Sequence, residues 1–211
     1  MTEQSTEPLA VTDAILYVSG VTVTFDGFRA LNELSLFLEP GELRAVIGPN
    51  GAGKSTMMDV ITGKTRPDDG QVLFDGRTDL TKLDEAAIAN LGIGRKFQKP
   101  TVFESQTVWD NIELALKKPR GVFSTLFYSA DAADISRIGE ILDTVRLFDR
   151  KDELAADLSH GQKQWLEIGM LLAQDPKLLL VDEPVAGMTD AETVETAKLL
   201  RDIARTRYQI G

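Results

Sequence analysis

The run Gly48-Pro49-Asn50-Gly51-Ala52-Gly53-Lys54-Ser55-Thr56 constrains this chain more than any other part of it. It satisfies G-x-x-x-x-G-K-[S/T] at every position. A short apolar stretch at 43–47 precedes it and a helical pattern opens at Lys54, so the expected order is strand, glycine-rich loop, helix. Glycines let backbone N–H groups close around phosphate oxygens, and the helix start adds the positive end of its dipole. Lys54 is then placed to reach the β- and γ-phosphates of ATP, and Ser55 to hold Mg2+. A chance turn between strand and helix is the competing reading, and the flanking pattern weighs against it.

Around this loop the periodicity alternates between two types. Val21, Val23 and Phe25, then Leu34, Leu36 and Leu38, recur every second residue as in half-buried strands. Gly63 stands where the loop's helix should stop, Pro67 follows it, and 71–75 reads as another strand. Ile135, Ile138, Ile141, Leu142 and Val145 then recur at helical spacing, as do Trp165, Ile168 and Leu172. Strand returns at 178–181, and a last helix carries Val194, Ala197, Leu200 and Ile203 on one side. Strands, loop helix, helical insert and buried strand describe an α/β core with an inserted helical lobe. Residues 1–13 are polar and acidic and read as a disordered tail, without the basic-then-apolar order of a signal peptide.

Composition narrows the chemistry. The 211 residues include no cysteine and a single histidine, His160, which excludes disulfides, thiolate metal sites and multi-histidine metal sites. A formal charge of −10 argues against a broad nucleic-acid surface. Apolar runs such as 178–181 are far too short to cross a bilayer, so any membrane role requires a separate membrane partner.

Two further motifs carry chemistry. Leu178-Leu179-Leu180-Val181-Asp182-Glu183 puts paired carboxylates at the end of a buried strand. In phosphate-loop proteins the first such acid, here Asp182, serves Mg2+, and a neighbour such as Glu183 can position the attacking water. Solvated acids ending a strand are the plain alternative. Leu158-Ser159-His160-Gly161-Gln162 places a serine and a glycine ahead of a helix; alone, Ser159 reads as an ordinary N-cap.

In this order the three motifs resemble those of ABC ATPases, whose signature usually reads Leu-Ser-Gly-Gly-Gln, and the resemblance runs from about Leu16 to Arg207. It implies a P-loop NTPase (RecA-like) core with an antiparallel β subdomain and an inserted helical subdomain. The expected cassette occupies 14–211, with the β subdomain and loop core at 14–98, the helical subdomain at 99–160 and a return to the core at 161–211. It implies a head-to-tail pair of nucleotide-binding domains, each ATP lying on one copy's loop and capped by Ser159, Gly161 and Gln162 of the other. By the same resemblance Phe25 stacks on adenine, its alternative being a core strand residue. Gln98 contacts Mg2+ and the attacking water, and the residues 99–111 form the groove for a helix of an integral membrane permease subunit. A periplasmic binding protein is an indirect partner, nucleic acid is not one, and the implied location is peripheral, on the cytoplasmic face of the inner membrane.

The chain also departs from the pattern. His160 replaces a glycine of the signature, and Thr189, with Glu192, makes a capping box where relatives carry an aspartate. The chain stops at Gly211, before the strand whose histidine bonds the γ-phosphate. The resemblance therefore implies a C-terminally truncated domain lacking its last core strands, with impaired hydrolysis and an exposed sheet edge. The stretches Gly92-Ile93-Gly94-Arg95-Lys96-Phe97-Gln98-Lys99-Pro100-Thr101-Val102-Phe103 and Ser159-His160-Gly161-Gln162-Lys163-Gln164-Trp165-Leu166-Glu167 look most like bacterial urea-uptake transporters, within the branched-chain amino acid type of importer. Other classes stay open: a DNA-repair, chromosome-organising or ribosome-associated ABC ATPase, an exporter or lipid-handling subunit, and a phosphate-loop kinase.

Overall fold

The computed structural model describes residues 11–96, 102–116 and 131–207. They divide into two units, one running to Leu91 and resuming at Ala204, the other spanning Gly92–Ile203.

In the first unit the alternating residues form β1 (Leu16–Phe25) and β2 (Phe28–Leu38), paired antiparallel from Phe25↔Phe28 to Leu16↔Leu38. Asp26 and Gly27, at φ 45° and 83°, make the turn between them. Two left-handed residues in a row are what a two-residue hairpin needs, and Asp-Gly supplies them cheaply. Next comes α1 (Lys54–Ile61), ended by Gly63 at φ 78° as the sequence predicts. β3 (Asp69–Phe74) and β4 (Thr78–Asp79) complete a sheet of order β2-β1-β3-β4, antiparallel at every pairing. α2 (Glu85–Asn90) follows, its first turn capped by the Asp84 side chain. Leu16, Val18, Val21, Val23, Val72 and Phe74 are all buried in this unit. Val11–Asp13, expected within the tail, instead form a turn of 3-10 helix.

One expected element is absent. Residues 43–47 adopt no strand, and Leu43, Val46 and Ile47 are 54%, 43% and 92% exposed. Apolar alternation licenses a strand only where a neighbour supplies the ladder hydrogen bonds, and no described strand pairs with this segment.

The second unit opens with β5 (Ile93–Lys96), which pairs in parallel with β6 (Leu178–Val181). Between them lie α3 (Val108–Ala115), α4 (Ala132–Thr144) and α5 (His160–Ala173). Each of the three is N-capped by a reciprocal capping box, from Thr107, Asp131 and Ser159 respectively. Ile112, Ile138, Ile141, Leu142, Val145, Leu166, Ile168 and Leu172 form their shared core, while Ile135, expected on that face, is half exposed. The last helix, α6 (Asp190–Arg207), buries Thr196, Leu199 and Ile203; of the predicted stripe Ile203 is buried and Leu200 packs partly buried against the core, while Val194 and Ala197 face solvent. The stripe is rotated because Thr196 satisfies its polar atom inside the core. Its hydroxyl donates to the Glu192 carbonyl at 2.8 Å and accepts from Trp165 Nε1 at 2.9 Å.

Candidate functional site

The phosphate loop is shaped by its glycines. Gly51 and Gly53 hold φ 82° and 85°, which side-chain-bearing residues rarely adopt. A Cβ at Gly53 would also stand 2.5 Å from the Ala30 carbonyl oxygen and 2.8 Å from Leu31 Cδ2, so the loop rests directly on β2. Gly48 faces Ala52 closely, and the Ala52 amide closes a turn onto the Pro49 carbonyl at 3.2 Å. Lys54 curls back across the loop, donating to the carbonyl oxygens of Gly48 at 2.7 Å and Pro49 at 2.9 Å. Its ammonium is thereby held against the backbone of the loop. Gly53, the N-cap of α1, offers that helix no side-chain cap. Asn50 and Ser55 are exposed and Thr56 half-buried beside this opening. A glycine-shaped loop running into a helix start, with one lysine drawn back onto it, suits a polyphosphate.

Phe25 ends β1 at the hairpin tip and is 48% exposed, which removes the reading of a core strand residue. An exposed ring beside the turn is available for stacking on a planar base.

In the second unit, Asp182 is 5% exposed at the end of β6, and its carboxylate lies 3.7 Å from the buried Arg95 guanidinium of β5. Glu183 is exposed and held at φ 47°. A non-glycine residue there stores roughly 1–2 kcal/mol of strain. That strain turns the chain sharply where the strand ends, so that the buried Asp182 is followed by a carboxylate in solvent.

The start of α5 is the second anion-suited feature. Ser159 Oγ accepts the Gln162 amide at 3.2 Å, and Gln162 Oε1 accepts the Ser159 amide at 3.0 Å and Arg150 at 3.0 Å. Ser159 is therefore the plain N-cap that the sequence allows; that role leaves its proton available. His160 turns its ring away to the loop after β6: its Nε2 lies 3.1 Å from the Ala186 carbonyl, which also accepts Gln164 Nε2 at 3.3 Å. The histidine thus ties the start of α5 to the turn that carries Glu183.

Sequence reasoning missed two residues. Asn111, fully buried, accepts the Phe103 amide at 2.7 Å and donates to the Phe103 and Thr107 carbonyls at 3.1 and 2.8 Å. It pins Phe103, which is 51% exposed, within the stretch expected to receive a membrane subunit. Glu192, read only as a helix cap, accepts a hydrogen bond from Ser159 Oγ at 3.1 Å, 33 residues away in sequence. Hydrogen bonds from the Thr189 amide, the Thr189 hydroxyl and the Ser159 hydroxyl hold its carboxyl below the usual carboxylate range. Gln98, and residues 99–101 of the expected groove, lie outside the described residues.

The donors that could serve Mg2+ fit it by chemistry: a serine hydroxyl at 55 and a carboxylate at 182 are hard oxygen ligands. Among the described residues no cluster of three or more acidic or histidine side chains could form a ready-made cage. Among the described residues no helix is long and apolar enough to cross a membrane.

Residues 31–186 match the family described as ABC transporter. The probable branched-chain amino acid transport ATP-binding protein LivG of Archaeoglobus fulgidus is 35% identical over 181 residues, covering 82% of this chain and 69% of that protein. A solved ATP-binding cassette of an ABC transporter, in its ADP conformation, superposes with a TM-score of 0.77 at 31% identity, covering 91% of this chain and 77% of that one. A dimeric ATP-binding cassette in a post-hydrolysis state bound to ADP and Pi gives a TM-score of 0.72 at 25% identity, covering 92% and 84%.

Proposed function

The chain belongs to the ABC transporter family of ATP-binding, ATP-hydrolysing proteins, and from that premise we propose that it powers an importer by pairing head-to-tail with a second nucleotide-binding domain. The observation that carries the reading is Lys54 folded back onto a glycine-shaped loop at the start of α1. ATP binds with its phosphates on that loop and its adenine on Phe25. Ser159, Gly161 and Gln162 of the second copy face the γ-phosphate. Ser55 and Asp182 are the residues that would hold Mg2+, whose charge would offset that of the phosphates. By the family resemblance Gln98, outside the described residues, would serve the metal and the attacking water. Glu183 positions that water and takes its proton, a role its solvent-facing place at the strand end supports.

The transported solute is a branched-chain amino acid, urea or a related small amide. The branched-chain class rests on the likeness to the Archaeoglobus branched-chain amino acid transport protein. Urea rests on the likeness of the stretches at 92–103 and 159–167 to urea-uptake transporters. The permease subunit docks at the exposed Phe103 and its neighbours up to 111, which places the chain on the cytoplasmic face of the inner membrane.

The test is nucleotide titration of three forms of the chain. Lys54→Ala should abolish ATP binding, whereas Glu183→Gln should bind ATP and accumulate as a dimer. Unchanged hydrolysis in Glu183→Gln would remove its catalytic role. Co-purification with membrane subunits, followed by ATPase assays with binding protein loaded with urea or with leucine, reads the solute.

A further inference from the structure

The carboxylate of Glu192 bridges two helix starts. Its Oε2 accepts the amide and the hydroxyl of Thr189, each at 3.0 Å, in the first turn of α6. Its Oε1 accepts the Ser159 hydroxyl at 3.1 Å. A Cβ built on Gly161 would stand 2.6 Å from the same Oε1, so the charged group lies flat against the first turn of α5. A serine hydroxyl has one proton to give. Here its lone pair takes the Gln162 amide, and the proton goes to Glu192.

That is the hydroxyl, and that the helix start, assigned above to the γ-phosphate of a nucleotide carried by a second copy. A phosphate oxygen approaching Ser159 meets a carboxylate already holding the proton it needs, at a distance where like charges repel. We propose that Glu192 is an internal brake on nucleotide-driven pairing: it occupies the anion position at the start of α5 and must swing aside before the partner's γ-phosphate can be bound. The inference rests on the reading of Ser159 and α5 as the cap over a partner's nucleotide. It adds a residue that sets how tightly that cap closes.

The discriminating variant is Glu192→Gln. Glutamine at this third helical position still closes the capping box with Thr189, so α6 keeps its start while the charge is lost. Two measurements are made. First, inorganic phosphate is titrated into the nucleotide-free chain while the backbone amide resonances of Gly161 and Gln162 are followed by NMR. Those resonances should saturate at about tenfold lower phosphate in Glu192→Gln, the scale expected for removing one charge a few ångströms away near a surface. Second, in the Glu183→Gln background, the ATP concentration that half-converts monomer to dimer should fall when Glu192→Gln is added. Equal or weaker phosphate binding at Gly161 and Gln162 in Glu192→Gln overturns the brake, whatever ATP does. Loss of ATP binding at 48–56 with the phosphate difference intact would instead count against the functional reading and leave the contact between Glu192 and α5 standing.

Discussion

At Gly53 two independent constraints meet: a left-handed backbone at φ 85° and a carbonyl 2.5 Å from where a Cβ would stand. Gly53→Ala should cost roughly 1–2 kcal/mol for the conformation alone, with more for displacing the loop from β2. ATP affinity measured by calorimetry should fall at least about tenfold, since each 1.4 kcal/mol is a factor of ten. Glu192 makes a prediction in acid. Its folded-state carboxyl is depressed by the Thr189 amide, then by the Thr189 and Ser159 hydroxyls. A depressed carboxylate contributes stability that is complete above its unfolded value, about pH 4.3, and lost as pH falls through the lower folded value. The melting-temperature difference between the native chain and Glu192→Gln should therefore be constant from neutral pH down to about 5 and change only below the ordinary glutamate range. The phosphate loop was legible because its pattern encodes backbone shape directly. The contact from Glu192 to Ser159 was not, because nothing local signals which of several acids on α6 will meet a serine 33 residues earlier.

The elements differ in how far local pattern determined them. The starts of α3, α4 and α5 carry capping boxes, and the periodic apolar residues of α4 and α5 did become core, apart from Ile135. α6 shows the limit: a buried threonine bonded to Trp165 rotates the helix away from the face its apolar residues suggest. Residues 43–47 show another, since a strand is a property of two segments and their pattern describes only one. A third feature no periodicity could disclose is the ion pair joining β5 to α5. Lys96 Nζ lies 3.1 Å from Glu167 Oε2, with both side chains 3% exposed. Removing one partner strands a buried charge, so Lys96→Met should cost about 3–5 kcal/mol in denaturant unfolding. Lys96→Met with Glu167→Leu should recover much of that loss, because an apolar pair of similar volume avoids desolvating two ions. Failure of the double variant to recover would mean that the pair's further contacts, and not its charge, are what α5 depends on.

For the molecule as a whole, the two units have different internal support. The first contains a four-stranded antiparallel sheet, and the described part of the second a single parallel pair beneath a helical core. Amide hydrogen exchange should find β1 at Leu16 and Val18 strongly protected and residues 43–47 exchanging close to free-chain rates, since the first are buried and laddered and the second are neither. ATP should slow exchange at 48–56, the readout that ties the loop to the ligand. The family and its fold were readable because motif order survives in sequence. The transported solute was not, because no residue of this chain has a physical reason to touch it. The placement of the tryptophans has a practical corollary. The chain has two, Trp109 on α3 and Trp165 on α5, and both fall in the second unit. Tryptophan emission therefore reports on the second unit alone. A change in it on adding nucleotide would be an optical record of that unit's response, obtainable from the unlabelled chain.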